Sequence, residues 1–384
     1  MNQGTSKIRV GLDCRDLFIA TTGSKTYLSE LISASMNMKN VQVEFVELYP
    51  FLPMLNIKGG LGKIFKHISF IFWKQFFLPL RAYFKNYDVL ICTDYFLPSY
   101  KWGKKHIAVY HDAFFWEYPQ HYNRFWLRLF HLWAVPAAKR ADCILVPSHY
   151  AKSRLMQFMH LSDDRFAVVY EAPKSFSMTV HSQESFLMGI LPSAKYLLHV
   201  GVLNKHKNLT SLIKSFKTAL SPNDPDWHLV LIGGVAQSQL DDDSIAISEA
   251  IETLGLTRQV HLLGYVNDDV LAQYYSKASG YIFPSYNEGF GLPLLEAMRF
   301  GLPIAAADNT CLPEIGKHAA IYFDPHNVSD IAKSIKKIMA KDQDVMDSLT
   351  HQEAVLSNYT WEKAVLEISA ISQQVVIGRA SSRK

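Results

Sequence analysis

The sequence predicts an α/β protein with two domains, each built around a doubly wound parallel sheet. Short apolar runs alternate with helical stretches along the chain, and this alternation is typical of parallel strands joined by helices. With 384 residues, 49% of them hydrophobic, the chain is long enough for two cores rather than one. Residues 174–192 lose the apolar periodicity and gain Ser, Met, Gly and Pro, which indicates a linker between domains at residues 1–187 and 188–358.

Composition argues against several classes of protein. The formal net charge of +4 is too small to indicate nucleic-acid binding. The four cysteines are far apart and form no C-x-x-C pair, so neither a zinc ribbon nor a disulfide framework is expected, and a reducing cytoplasm fits. Residues 1–7 are polar and no apolar stretch follows them, so we expect no secretory signal.

The chain opens with a predicted strand, loop and helix. Ile8–Asp13 forms the strand, and Gly23 suits the turn into the helix. A dinucleotide-binding domain would need further glycines soon after Gly11, and the next one is Gly23, so a nicotinamide enzyme is not expected. Val41–Leu48 is the second predicted strand.

Leu61–Phe84 is an apolar, aromatic segment, and no Asp or Glu occurs between Tyr49 and Tyr87. Its charged residues are all basic: Lys63, Lys66, Lys74 and Arg81. The longest uncharged apolar stretch, His67–Trp73, is much shorter than the ~20 residues that a membrane-spanning helix needs. Two interpretations stay open: an amphipathic segment that lies on an anionic membrane, and a core helix whose lysines reach out to solvent.

Two more strands, Asp88–Cys92 and His106–Tyr110, lead to His111. Ligands of open α/β sheets bind outside the carboxyl ends of the strands, so His111 is a candidate site residue, although a histidine after a strand is more often structural. The rest of this half is predicted as helix, strand, helix and strand: Leu127–Arg140, Ala141–Pro147, a helix capped by Ser148 that runs to about Met159, and Phe166–Tyr170.

The second half contains six predicted strands with helices between them. They are Lys195–Val200, Trp227–Ile232, Val260–Leu263, Gly280–Phe283, Pro303–Ala306 and Ala320–Phe323. The turn after the first of these strands begins at Gly201 and carries three basic residues, Lys205, His206 and Lys207. Taken alone, such a run of charge is usually a solvated face.

Ser285–Glu314 carries the strongest motif. A tight turn holding Gly289 and Gly291 follows the buried strand, and a helix starts near Pro293 and ends at Gly301, where a left-handed cap belongs. The backbone amides of this turn and the helix dipole behind them are expected to form a seat for phosphate or a negatively charged oxygen.

Two carboxylates frame that seat. Glu288 lies in the turn, and Glu296 lies in the first turns of the helix. A single glutamate at either place would more simply be a solvated loop residue or a charge favoured by the helix dipole. The full stretch, Glu288-Gly-Phe-Gly-Leu-Pro-Leu-Leu-Glu296, favours a functional interpretation.

This stretch resembles the signature of the retaining GT-B glycosyltransferases of family 4, in which seven residues separate two glutamates. Other segments resemble elements of the same family: Trp73-Lys-Gln-Phe-Phe-Leu-Pro79, Val109-Tyr-His-Asp112, Ala141–Ser148 and Tyr359-Thr-Trp-Glu362. The resemblance covers nearly the whole chain, weakly in the first half and strongly from residue 195 onward. It implies two Rossmann-like domains that face a cleft, with a closing helix and tail at residues 359–384 that cross back to the first domain.

The resemblance also implies roles for the candidate residues of the second half. Glu296 would hold the ribose hydroxyls of a nucleotide-sugar donor, and Glu288 would act catalytically on the transferred sugar. The backbone of the turn would bind the donor through Gly289, Phe290, Gly291 and Leu292. The segment from Gly201 to Asn208 resembles G-x-x-x-x-R-K-N, in which two cations hold the diphosphate. Lys207 matches that pattern, and His206 stands where Arg is usual. The resemblance therefore implies that Lys207 and His206 hold the diphosphate and that Gly201 belongs to the donor site.

In the first half, the resemblance implies that His111 faces the transferred sugar as a second catalytic residue. It places the loop of Gly23 near the donor phosphates and the acceptor, although Gly23 also suits a simple turn into a helix.

The resemblance to this family also implies that no metal is needed. Asp241, Asp242 and Asp243 could suggest a metal pair, but they precede a predicted helix at Ser244–Leu254, so capping of that helix is the better account.

The sequence therefore predicts a cytoplasmic, metal-independent and cofactor-free retaining hexosyltransferase. GDP-mannose is the leading donor, because the resemblance is strongest to the branch that contains mannosyltransferases. A glycan or polyprenyl-linked glycan would be the acceptor, and Leu61–Phe84 could contact the inner face of an anionic membrane. The alternatives are a nucleotide-sugar epimerase or phosphorylase on the same fold, and a non-catalytic glycan-binding protein.

Overall fold

The computed structural model describes residues 7–20, 23–38, 42–50, 60–176, 194–221, 226–235 and 240–381. The contacts divide the chain into two compact units. The first consists of Met1–Pro119, Asn123–Glu171 and Thr360–Lys384, and the second of Gln120–Tyr122 and Ala172–Tyr359. The boundary predicted between residues 187 and 188 lies outside the described residues.

The first unit contains a sheet of six parallel strands in the order β2-β1-β3-β4-β5-β6. The strands are β1 (Ile8–Asp13), β2 (Val43–Leu48), β3 (Val89–Cys92), β4 (Lys105–Val109), β5 (Cys143–Val146) and β6 (Phe166–Val168). All six predicted strands of this half are confirmed. From β1 the chain first adds β2 on one side and then adds β3 on the other side. The crevice between β1 and β3 is therefore a topological switch point.

Helices of the first unit connect these strands and cover the sheet. They are α1 (Asp16–Ile19), α2 (Gly23–Asn37), α3 (Gly60–Phe72), α4 (Leu78–Phe84), α5 (Phe114–Glu117), α6 (Arg124–Leu129), α7 (Val135–Lys139), α8 (His149–Met159) and α17 (Trp361–Ser381). Wide π-type turns at Trp73–Phe77 and Phe130–Ala134 join α3 to α4 and α6 to α7. The predicted cap at Ser148 is confirmed, because its hydroxyl accepts a hydrogen bond from the Ala151 amide at 3.0 Å.

Lys74, in the first of these wide turns, corrects one expectation about the basic aromatic segment. Its side chain is fully buried, and its Nζ atom lies 2.5 Å from carboxylate oxygens of both Asp13 and Asp94. Burial alone would lower the pKa of Lys74, but the two carboxylates outweigh it and raise that pKa. The expectation that the lysines of a core helix reach solvent is therefore wrong for Lys74, because the carboxylates of Asp13, at the end of β1, and Asp94, after β3, compensate its charge inside the protein.

The second unit contains another sheet of six parallel strands, in the order β12-β11-β10-β7-β8-β9. These strands are β7 (Lys195–Val200), β8 (Trp227–Ile232), β9 (Val260–Leu262), β10 (Gly280–Phe283), β11 (Ile304–Ala307) and β12 (Ile321–Phe323). All six were predicted, and three of them have the predicted bounds. The chain runs outward from β7 to β9 and then returns to β10 beside β7, so the switch point of this sheet lies between β7 and β10.

Helices of the second unit lie between these strands and after them. They are α9 (Leu209–Ala219), α10 (Ser244–Thr253), α11 (Asp268–Lys277), α12 (Leu292–Arg299), α13 (Leu312–Gly316), α14 (Val328–Ala340), α15 (Gln343–Thr350) and α16 (Gln352–Leu356). The capping prediction for the acidic run holds for Asp242, whose Oδ1 atom accepts from the Ser244 amide at 3.0 Å. Asp243 makes no such bond to the helix and accepts from the Thr210 hydroxyl instead.

Candidate active site

Two loops meet at the switch point of the second sheet. One follows β7 and runs from Gly201 to Asn208, and the other follows β10 and leads to α12. The Tyr286 amide donates to the carbonyl of His206 at 2.8 Å, and the Asn208 side-chain amide donates to the carbonyl of Pro284 at 3.0 Å. These bonds hold the basic turn against the glutamate turn at the carboxyl edge of the sheet, where open α/β folds bind their ligands.

The closest contact between the two loops is an ion pair. The Nζ atom of Lys207 lies 2.6 Å from Oε1 of Glu288, and the two side chains are 13% and 11% exposed. The structure thus brings together the residue predicted to bind diphosphate and the carboxylate predicted to act on the sugar. An anionic ligand that reaches Lys207 must compete with Glu288 for its ammonium group.

His206, next to Lys207, is almost completely buried at 7% exposure. Burial, reinforced by the positive charge of Lys207, lowers the pKa of His206 well below its usual value. This lowered pKa favours the neutral imidazole, whereas the arginine that the family has at this position carries a charge. The contact of His206 with a donor diphosphate stays a prediction.

Glycines are required where other parts of the chain approach the two loops closely. Gly291 has a φ of +97°, and a side-chain carbon added there would lie 2.9 Å from Leu312. A side-chain carbon added at Gly233, which follows β8, would lie 1.7 Å from the carbonyl oxygen of Gly201. The sequence analysis missed Gly233, although the Gly233-Gly234 pair directly after a strand is a signal for such close approach.

Helix α12 follows the glutamate turn as predicted. Pro293 lies in its first turn, and Gly301 follows its end with a φ of +67°, so the predicted left-handed cap is confirmed. Glu296, on the buried side of this helix, is 6% exposed. Its Oε2 atom accepts a hydrogen bond at 2.9 Å from the hydroxyl of Tyr275, a residue that the sequence analysis did not assign to the site.

His111 and Gly23 lie in the first unit. The Nδ1 atom of His111 lies 3.0 Å from Oε1 of Glu171, and its Nε2 atom lies 3.2 Å from the carbonyl of Thr93. Burial alone would lower the pKa of His111, but the hydrogen bond and charge of Glu171 raise it above the usual value. Both ring nitrogens face oxygen atoms, an arrangement that favours the protonated imidazole. The catalytic assignment of His111 stays a prediction.

Gly23 is the first residue of α2 and is exposed, and nothing lies within 4 Å of a side-chain carbon added there. This placement agrees with its interpretation as a turn residue at a helix start. Its nearness to phosphates stays a prediction. Over the described ranges, no three His, Cys, Asp or Glu side chains converge as ligands of a metal ion.

Two family models match this chain. The model described as Glycosyl transferases group 1 matches residues 186–352, and the model described as Glycosyltransferase Family 4 matches residues 45–172. Together they cover well over half of the 384 residues. The chain belongs to the family 4 glycosyltransferases.

This family 4 glycosyltransferase is similar to curated mannosyltransferases. It is 28% identical over 240 residues to the serotype-specific mannosyltransferase WbdA of Escherichia coli, a match that covers 61% of this chain and 29% of WbdA. It is 24% identical over 267 residues to O-antigen chain mannosyltransferase B of Escherichia coli, which is 68% of each chain. The chain therefore spans less than a third of WbdA and about two thirds of the second relative.

Among solved structures, the Anabaena protein HepE in complex with UDP and glucose matches 96% of this chain and 100% of its own, with a TM-score of 0.70 at 17% identity. At this level of identity the likeness shows the fold alone. It confirms the predicted GT-B fold of two Rossmann-like domains for this family 4 glycosyltransferase.

Proposed function

We propose that this glycosyltransferase transfers mannose from GDP-mannose to a glycan or polyprenyl-linked glycan, with retention of the anomeric configuration, in the synthesis of a surface polysaccharide. The observation that carries the proposal is the mostly buried ion pair of Lys207 and Glu288 at the carboxyl edge of the second sheet, with Glu296 buried on the helix that follows Glu288. The names of the two Escherichia coli relatives support mannose as the sugar.

The three side chains supply the charges that the reaction needs. When the bond between sugar and phosphate breaks, negative charge accumulates on the leaving nucleoside diphosphate, and a cation at Lys207 stabilises it. Glu288, which Lys207 releases on contact with the diphosphate, becomes available to the transferred sugar. In the front-face route, the leaving phosphate oxygen accepts the proton of the attacking hydroxyl, so no protein side chain is needed as a general base.

We further propose that neither a metal ion nor a cofactor takes part. Lys207 and the backbone amides of the turn from Gly289 to Gly291 would neutralise the diphosphate in place of a divalent cation. HepE, whose structure contains UDP and glucose, shares the fold on which this donor site would be built.

A donor screen tests the proposed function. We expect GDP-mannose to raise the melting temperature more than UDP-, CMP- or dTDP-sugars, and GDP to be released faster when a mannosylated acceptor is added, with or without EDTA. Loss of turnover in EDTA that Mg²⁺ or Mn²⁺ restores would contradict the metal-free route. Conversion of the donor without any acceptor would favour an epimerase, a requirement for inorganic phosphate would favour a phosphorylase, and binding without turnover would favour a glycan-binding protein.

The same proposal includes contact with an anionic membrane through the helix of residues 60–84. Eight of its apolar side chains form an exposed stripe at roughly helical spacing, and each of them is between 38% and 72% exposed. The stripe consists of Phe65, Ile68, Phe72, Phe76, Phe77, Leu80, Tyr83 and Phe84. An exposed apolar face of this length marks an interaction surface, and the lack of acidic residues between Tyr49 and Tyr87 suits anionic lipid. None of the helices described is long and apolar enough to cross the bilayer.

A triple variant that replaces Phe72, Phe76 and Phe84 by serine should bind vesicles of anionic lipid at least about tenfold more weakly than the wild type. Burial of each aromatic ring in the membrane contributes roughly 1.5–3 kcal/mol. Cosedimentation with vesicles measures this. Leu132→Ser is the matched control, because Leu132 is 79% exposed on the same unit but lies outside the stripe. Equal binding of the triple variant and the wild type would rule out the stripe as the membrane contact.

A further inference from the structure

Tyr275, on α11, is held rigidly against the predicted ribose-binding glutamate. Its side chain is fully buried, and its hydroxyl donates to Oε2 of Glu296 at 2.9 Å. Its ring stacks on Phe300 with centroids 5.3 Å apart and an interplanar angle of 9°, and it contacts the ring of Tyr281 at 6.0 Å. These neighbours fix the ring of Tyr275, and its hydroxyl contacts both the carboxylate of Glu296 and the hydroxyl of Tyr281.

The hydroxyl of Tyr275 keeps its proton. Burial, followed by the negative charge of Glu296, raises the pKa of Tyr275 well above its usual value. A protonated phenol can only donate to the carboxylate, and the bond to a charged acceptor is of the stronger kind. The tyrosine therefore helps to fix the plane of this carboxylate, because the terminal torsion of a glutamate has only a broad preference of its own.

A second tyrosine connects this pair to the loop after β7. Tyr281, on β10, is fully buried, and its hydroxyl lies 3.4 Å from both the amide nitrogen and the carbonyl oxygen of Val200. Val200 directly precedes Gly201 of the basic turn. The orientation of Glu296 is thus set by the same packed layer that positions the loop of Lys207.

We propose that Tyr275 is a positioning residue that makes this site selective for ribonucleotide donors over 2′-deoxyribonucleotide donors. It holds the carboxylate of Glu296 so that both hydroxyls of a ribose can donate to it. A nucleotide that lacks the 2′-hydroxyl leaves one of these hydrogen bonds unmade inside a buried site, which is where discrimination by a single hydroxyl is greatest. This inference rests on the proposed function, in which Glu296 binds the ribose.

The test compares each ribonucleotide with its 2′-deoxy analogue in calorimetry, using GDP with 2′-deoxy-GDP and UDP with 2′-deoxy-UDP so that the base is not assumed. The wild type should prefer the ribonucleotide at least about tenfold, the loss expected for a hydrogen bond to a charged group. Tyr275→Phe should reduce this preference by threefold or more, mainly by lowering the affinity for the ribonucleotide. A ratio equal to that of the wild type, or an equal loss of affinity for both members of a pair, would overturn the proposal.

Tyr196→Phe is the matched control. Tyr196 is 1% exposed in the same unit, and its hydroxyl donates to the carbonyl of Tyr274 at 2.7 Å, so this variant also loses one buried hydrogen bond. Its nucleotide ratio should equal that of the wild type. Glu296→Gln distinguishes failure of the ribose assignment from failure of the tyrosine's role. If Glu296→Gln keeps the wild-type preference for the ribonucleotide, the ribose assignment is overturned. If Glu296→Gln lowers this preference but Tyr275→Phe does not, only the role of the tyrosine is overturned.

Discussion

Glu288→Gln is expected to lower kcat by about 10²-fold or more while free GDP binds at least as tightly as it does to the wild type. In the structure, Oε1 of Glu288 lies 2.6 Å from the Nζ atom of Lys207, and both side chains are mostly buried. Glutamine keeps the shape of the side chain but removes its charge, so the diphosphate no longer competes with a carboxylate for Lys207. Steady-state turnover and calorimetry with GDP measure the two effects separately.

The control for this variant is Glu252→Gln, which makes the same chemical change on an exposed face of α10. It should change neither turnover nor nucleotide affinity. A fall in GDP affinity in Glu288→Gln, parallel to the fall in turnover, would mean that Glu288 supports the nucleotide and not the sugar. Unchanged turnover would remove Glu288 from the catalytic residues.

Lys207→Met is expected to lower the affinity for GDP and GDP-mannose by roughly 10- to 150-fold, because a hydrogen bond to a charged group contributes about 1.5–3 kcal/mol. It should also lower the free energy of unfolding, since the carboxylate of Glu288 then stays buried without a counter-charge. Adding Glu288→Gln to Lys207→Met should restore that stability without restoring turnover. Calorimetry and urea unfolding of the single and double variants give both quantities.

Lys205→Met is the matched control two residues away. Lys205 is exposed, and its Nζ atom donates to the carbonyl of Leu240 at 2.8 Å. We expect its nucleotide affinity to stay within about twofold of the wild type, as for most exposed substitutions. If Lys205→Met and Lys207→Met lose the same affinity, the basic turn acts through general positive charge, and the specific role of Lys207 is contradicted.

The strands were predictable because each of them is a short apolar run with a turn signal at its carboxyl end. In a sheet buried on both faces, such runs need no alternation, so β7, β8 and β10 could be located to the residue. The glutamate turn was predictable for a related reason. Its glycines, its proline and its two carboxylates are all close in sequence, so their geometry follows from local rules.

Features that depend on distant parts of the chain were not predictable. The burial of Lys74 follows from its contact with Asp13, which is 61 positions earlier and reaches it only because β1 and the helix pack together. Tyr275 contacts Glu296 across 21 positions, and no spacing rule connects residues of two different helices. The burial of His206 also follows from its surroundings, since an isolated histidine in a basic turn would be expected to reach solvent.

The stereochemistry of the transferred sugar tests the retaining mechanism at this donor site. The enzyme is incubated with GDP-α-mannose that carries ¹³C at the anomeric carbon and with a mannosylated acceptor, and the new linkage is read by NMR from the coupling between the anomeric carbon and its hydrogen. We expect an α-linked mannose in the wild type and at least about tenfold less of the new linkage in Lys207→Met at the same, sub-saturating donor concentration. A β-linked product would contradict the retaining mechanism, and full transfer by Lys207→Met would contradict the proposed donor site.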